Sequence, residues 1–389
     1  MRFAAAVVGA WLLTSSPTAA QEAQGTGEWE WAASANVFFG YNYQQREFRD
    51  FSEWESQNWF MAGGQRRTER DRARLQAMFS LEAFTIQDVG SPQVFQTGET
   101  FKNAPLIDYQ HPHDLIMALG GDYQVMAGRV RLAFGADLVG SPTLGPAPFM
   151  HRASASENPQ APLAHHYLDS THITHGVLRT GIGLGRFMLE GSWFRGQEPD
   201  EDRLDLDLGA LDSGAVRISW LRGPWSAQLS GAYLTRPERV SPFDAKRVTA
   251  SVARDVGIGS RGISWLAAFG QNREAHGNFE AYLFEATWRP SPPNAFYTRL
   301  ESVAKDILDA GFHPTVFHRH RQSQVAAVTG GYARDLVQSV RGTLGVGGDI
   351  TAYGVPANLK ESYGAPLSFH VFLRFRGATG SKVGTHTHH

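Results

Sequence analysis

Three observations predict the fold class of this chain. Apolar residues recur at every second position along most of its length, glycine and aromatics stand where helix formers would be, and the connections alternate between tight and long. Together they predict an all-β fold: a transmembrane antiparallel β-barrel of about 16 strands with short periplasmic turns and long extracellular loops. At 389 residues the length alone would suggest two domains, but a large barrel is a single unit.

The chain begins with an export signal. Arg2 supplies a positive start, Ala4 to Leu13 is an apolar run, and Thr14 to Ala20 ends in small residues, with cleavage expected after Ala20. That run is too short to cross a bilayer as a helix, and no later stretch has the roughly 20 consecutive apolar residues a transmembrane helix needs. The expected organisation is therefore a signal peptide at 1–20, an outer-membrane barrel at 21–376 and a flexible periplasmic tail at 377–389.

The first strand shows the pattern. Trp29, Trp31, Ala33, Ala35, Val37, Phe39, Tyr41 and Tyr43 occupy alternate positions, with mostly polar or small residues between them. Successive side chains point to opposite faces of a strand, so one face is apolar and the other largely polar. Aromatics near both ends of the apolar face suit the two membrane interfaces. The alternation recurs from Val130 to Leu138, Trp225 to Tyr233, Tyr282 to Trp288, Val340 to Ile350 and Leu367 to Phe375. In order, strands are expected near 29–43, 54–63, 71–86, 114–126, 129–140, 172–182, 186–195 and 213–222. The second eight follow near 225–236, 246–255, 261–272, 279–290, 294–305, 321–334, 339–353 and 366–376. An even count returns both termini to the periplasmic side. Connections after the even-numbered strands are tight, such as Ala127-Gly128 and Gly223-Pro224, with another expected at 335–338. Those after odd-numbered strands include 87–113, 141–171, 196–212, 306–320 and 354–365.

Composition narrows the function. Lys and Arg total 36 against 38 Asp and Glu, a net charge of -2, which excludes a nucleic-acid surface built on bulk positive charge. The absence of cysteine excludes disulfides, thiolate catalysis and thiolate metal ligation. The polar chemistry collects in the long loops. Of 15 histidines, His111, His113, His151, His165, His166, His172, His175, His313, His318 and His320 lie in or beside them. His111, His113, Asp114, His151, His165, His166, Asp169 and His172 are candidate ligands for a divalent transition metal, since imidazole and carboxylate suit Zn, Ni or Cu. Asp108, Asp114 or Asp169 can also orient an imidazole from behind. The competing reading is structural: the same side chains tie the loops into a plug or lid, because irregular backbone at membrane depth must be satisfied inside the protein. A lipid-acting barrel enzyme is a further reading, with Ser154, Ser156 or Ser170 near His151, His172 and Asp169, although no Gly-x-Ser-x-Gly elbow is present.

Inward strand positions carry Arg72, Arg74, Arg129, Arg131, Arg186, Arg217, Arg299, Arg341 and Arg374, with Glu82, Asp137, Glu190, Glu285, Glu301 and Asp349 among the acids. Such arginines either favour anionic solutes or pair with the acids to fill a polar interior.

The stretches Gln96-Thr97-Gly98-Glu99-Thr100, His111-Pro112-His113-Asp114-Leu115, Phe149-Met150-His151-Arg152 and Asp169-Ser170-Thr171-His172-Ile173 resemble those of an uncharacterised family of proteobacterial outer-membrane barrel proteins. The likeness is specific from Asn58 to Gly176, with Ala153 where the family pattern has Pro. It implies an outer-membrane location and marks the loops, without implying an activity. The function expected is a porin-like channel for small hydrophilic, including anionic, solutes, constricted by His-rich loops folded inward; a metal-binding barrel is the alternative. Outer-membrane lipid, the solute and a second copy of the chain in a homo-oligomer are the expected partners.

Overall fold

A computed structural model describes residues 27–239, 243–257, 261–275, 277–308 and 322–380. Its strands are β1 Trp29–Arg46, β2 Arg49–Glu55, β3 Asn58–Arg67, β4 Asp71–Phe79, β5 Ser91–Phe101, β6 Ala104–Gln110, β7 Ile116–Ala127, β8 Val130–Gly140, β9 Thr174–Leu184 and β10 Phe187–Phe194. They continue with β11 Ser213–Arg222, β12 Trp225–Leu234, β13 Ala245–Val256, β14 Gly262–Glu274, β15 Gly277–Ser291, β16 Asn294–Lys305, β17 Ser323–Ser339, β18 Gly342–Gly354 and β19 Leu367–Gly380. All but β5 and β6 form one antiparallel sheet that closes on itself where β1 meets β19, in register from Ala32 opposite Gly380 to Gln45 opposite Leu367.

β2 and β3 are two halves of one stave, since both pair with β1, so the barrel has the sixteen staves expected. Their ladder breaks at Ser56 and Gln57 because the Ser56 amide donates inward to the Thr85 carbonyl at 3.1 Å. The same inward turn ends β4 at Phe79, seven residues before the alternation suggests. A one-turn helix at Glu82–Thr85 follows, and buried Glu82 accepts from the amides of Asn58 (3.2 Å) and His113 (3.0 Å). Glu82 therefore belongs to a loop and not to the wall.

Other departures are smaller. β17 runs through the connection expected at 335–338, with a bulge between Asp335 and Val337, so the turn falls at Val340-Arg341. β19 continues four residues into the expected tail, where Gly377 to Gly380 pair with β1. Residues 381–389, the signal segment 1–20, His276 and the loop bearing His313, His318 and His320 lie outside the described residues. Arg129, Arg186 and Arg341, read as inward, are exposed in the tight turns. Gly128, Gly185 and Gly223 in those turns have φ of +64°, +58° and +57°, a left-handed backbone that glycine adopts without steric cost.

The outward face is apolar and bare of protein cover, as a lipid-facing wall requires: Leu229 and Ile182 are 54% and 55% exposed. Aromatics gather at both rims, with Trp29 stacked on Trp31 and Trp288 tilted against Phe296 near the turns, and Tyr43 stacked on Phe369 near the long loops. The inward face is ionic. Arg74 pairs with Asp122 at 2.8 Å, Arg179 with Asp137 at 2.6 Å and Arg217 with Glu190 at 3.0 Å, while Tyr297 donates to Asp349 at 2.8 Å.

Leu229 lies midway along β12 between the rim residues Trp225 and Tyr233. Leu229→Arg should destabilise the barrel by about 2–4 kcal/mol in a denaturant titration in lipid, the range for a charge at the bilayer midplane.

Candidate functional site

The segment 141–173 leaves the outer end of β8, descends inside the barrel and climbs back to β9. Its course is marked by its wall partners. Thr287 donates to the Ser154 carbonyl (2.8 Å), and Arg299 donates to the Gln160 carbonyl (2.8 Å). Higher up, the Ala164 amide donates to Glu301 (3.0 Å) and the Tyr167 hydroxyl to the Ala304 carbonyl (2.6 Å). At its lowest point Glu157, fully buried, meets Arg289, Arg374 and Arg376, all near the periplasmic ends of their strands. Arg152 is the central tie: its Nε reaches Glu285 on β15 at 2.6 Å and its Nη1 reaches Asp169 at 2.6 Å.

Two further segments pack on this plug. The β5–β6 hairpin, in a stretch expected to be loop, lies against it, with Gln93 donating to the Ala161 carbonyl (2.7 Å) and Gln96 to the Pro162 carbonyl (3.2 Å). The connection between β10 and β11 brings in Arg203, which pairs with Glu99 and, at 3.2 Å, with Asp114. Apolar packing fills the gaps, with Val94, Phe95, Leu163 and Leu168 in one cluster with the wall residues Leu283 and Val303.

The four family-like stretches converge here, and five histidines form a continuous row of rings. His111 and His166 are 6.0 Å apart between centroids, His166 and His165 5.5 Å, His165 and His172 5.2 Å, and His172 and His113 5.4 Å. Most are anchored through one nitrogen. His113 Nδ1 meets Glu82 at 2.7 Å, His165 Nδ1 meets Asp169 at 2.8 Å, and His172 Nδ1 meets the Asp169 carbonyl at 2.9 Å. His111 Nε2 meets Glu99 at 2.8 Å. The outer nitrogens of His113 and His172 have no partner. Burial lowers the pKa of His151 and His165 to about 4 and that of His172 well below the ordinary imidazole range, favouring the neutral form that metals bind.

Of the eight candidate ligands, only His166 belongs to a described group of three whose ligand atoms lie within 4.8 Å of one another. Its companions are Glu198 and Glu238; the second such group is Asp200, Asp205 and Asp207. Asp114 is instead engaged with Arg203, and Asp169 with Arg152 and His165. Sequence reading placed Glu82 on the wall and marked Glu99 only as part of a motif, and it missed Arg203, Glu198 and Glu238, which come from separate connections and lack a local pattern. The acidic run Glu198-Pro199-Asp200-Glu201-Asp202 was the one available signal. The candidate serines are otherwise occupied: Ser154 donates to Glu285 (2.8 Å), Ser156 to the Ala153 carbonyl (3.2 Å), and Ser170 accepts from Arg247 (3.2 Å).

Comparison with solved structures identifies the fold. The chain is similar to an anion-selective porin from Comamonas acidovorans (12% identity, 90% of this chain and 100% of that one, TM-score 0.50). It is also similar to OprB of Pseudomonas putida (11%, 90% and 94%, TM-score 0.51) and to Salmonella typhi OmpF in complex with daunomycin (7%, 90% and 98%, TM-score 0.52). The chain has the porin fold. With its lipid-facing belt, that fold places the protein in the bacterial outer membrane. No protein-family profile matches the chain. Among curated proteins, a tRNA pseudouridine synthase Pus10 of Halorubrum lacusprofundi is 29% identical over 232 residues. The chain spans about half the length of that relative, 49%, and the likeness establishes no family.

Arg152→Ala would remove the guanidinium between two buried carboxylates, leaving Asp169 with His165 and Glu285 with Ser154 and the more distant Arg299 (3.6 Å). Removing one partner of a buried ion pair costs about 3–5 kcal/mol, so the segment 141–173 should become cleavable in limited proteolysis of detergent-folded protein while the barrel stays closed.

Proposed function

We propose that the protein is a porin-like channel for small hydrophilic solutes, with anions favoured, and that the inward-folded segment 141–173 is its constriction. One observation carries the reading: a sixteen-stave barrel, wide enough for an aqueous lumen, is narrowed by a segment held to the wall chiefly through side-chain ion pairs and hydrogen bonds. The anion preference rests on the periplasmic half of the lumen. There Arg72 lies within electrostatic reach of Arg67, Arg74 and Arg131, with Asp122 as the acid facing it. Charged rings of this kind bias permeation toward the opposite sign.

The test is single-channel recording in planar bilayers. The full-length barrel should pass a small, anion-selective current, and deletion of 141–171 should raise conductance several-fold. Retention of the folded, heat-modifiable electrophoretic band would show that the deleted barrel still closes. Absence of ion passage both before and after deletion would defeat the channel reading. Arg72→Ala with Arg131→Ala should reduce anion preference, read as a shift in reversal potential across a salt gradient.

A further inference from the structure

We infer that His166, Glu198 and Glu238 form a binding site for one borderline divalent cation of the Zn class at the outer mouth of the barrel. The three side chains come from three connections: the climbing arm of the plug, the β10–β11 connection and the β12–β13 connection. His166 Nδ1 stands 3.6 Å from a Glu198 oxygen and 3.5 Å from a Glu238 oxygen. Both separations exceed the roughly 2.7–3.2 Å of a hydrogen bond. They lie near the separation of about 3.3 Å expected for two tetrahedral ligands each about 2.0–2.1 Å from a common zinc.

His166 Nδ1 and both Glu198 oxygens lack a well-formed hydrogen bond, in side chains only 6% and 7% exposed, with the Ser170 hydroxyl the one neutral donor facing Glu198 among the described residues. A buried carboxylate left this way is costly unless something supplies a donor or a cation. The cations around the trio meet that need only in part: Lys305 lies within electrostatic reach of Glu238 but donates to Gln96 (3.2 Å). Arg247 donates through Nε to Asn272 (2.8 Å) and through Nη1 to Ser170 (3.2 Å), leaving one guanidinium within electrostatic reach of both Glu198 and Glu238. Arg203 is engaged by Glu99 and Asp114. The Glu99 amide donates to the second Glu238 oxygen at 3.1 Å, which orients that carboxylate from behind.

Backbone and surface also suit a ligand there. Gly98, at φ +126°, lies so close to the His166 ring that a Cβ on it would be 2.3 Å from Nε2. The ring's place therefore depends on a missing side chain at the centre of Gln96-Thr97-Gly98-Glu99-Thr100. A small cleft lined by Glu99, Glu198, Asp200, Glu201, Glu238 and Arg239 includes two of the trio's carboxylates and carries an excess of negative charge. One imidazole with two carboxylates favours zinc and its first-row neighbours over Mg or Ca, which prefer all-oxygen shells.

The experiment is calorimetric titration of the full-length, detergent-folded barrel with Zn²⁺ alone, with Co²⁺ absorption as the spectroscopic readout. His386, His388 and His389 would bind metal by themselves, so the measurement is made with H386N/H388N/H389N in the background. One equivalent of Zn²⁺ should bind, and Co²⁺ should give visible bands of low coordination number. His166→Ala and Glu198→Gln should each weaken binding on the order of 100-fold, and Gly98→Ala should weaken it by displacing the ring. His172→Ala should leave it unchanged, with the heat-modifiable band confirming that each variant folds. No stoichiometric uptake by the parent, unchanged affinity in His166→Ala and Glu198→Gln, or an equal loss in His172→Ala would each overturn the assignment. None of these readouts depends on ion conduction.

Discussion

Backbone that enters a barrel at membrane depth must find its hydrogen-bond partners inside the protein, because neither lipid nor a strand ladder supplies them. The rest of this structure depends on that constraint. The segment 141–173 runs down the lumen without strand pairing, and the wall answers it group by group: Thr287, Arg299 and Arg376 donate to its carbonyls, and Glu301 accepts from its amide. Charged side chains face inward because the segment lies against them.

The same constraint explains why the ion pairs concentrate where they do. Arg152 joins the wall carboxylate Glu285 to Asp169 of the plug, and Asp169 in turn orients His165 and, through its carbonyl, His172. One guanidinium therefore sets the position of two imidazoles. Glu157 plays the converse part at the bottom of the segment, a single buried carboxylate among three arginines. Buried charges of this kind add little net stability but penalise every arrangement in which a partner is missing. Such penalties specify a single seat for the loop more than they strengthen the barrel.

Within the row of rings, bonding separates two kinds of histidine. His111, His113, His165 and His172 each have one nitrogen tied to a carboxylate or carbonyl, an arrangement that fixes the tautomer. His166 instead faces two carboxylates at 3.6 and 3.5 Å, longer than a well-formed hydrogen bond. The tied rings serve the seating of the plug, and His166 stands beside carboxylates that line the outer cleft.

The wall was legible because its signal is local. Alternation marks which residues face lipid, and turn glycines with alternating connection lengths order the staves, so the barrel and its sidedness follow from neighbours a few positions apart. Alternation misled at Phe79-Ser80-Leu81-Glu82, where the pattern continues but Glu82 has a stronger claim inward on His113. The histidine-rich loops were legible as a place and not as an arrangement. The sequence by itself determined the barrel, its lipid face and the segments that would carry polar chemistry. Only the tertiary structure decided which groups meet, because closing the cylinder brings Glu285 to Arg152 across 133 residues and Glu238 to the Glu99 amide across 139. No periodicity along a chain records a contact of that range.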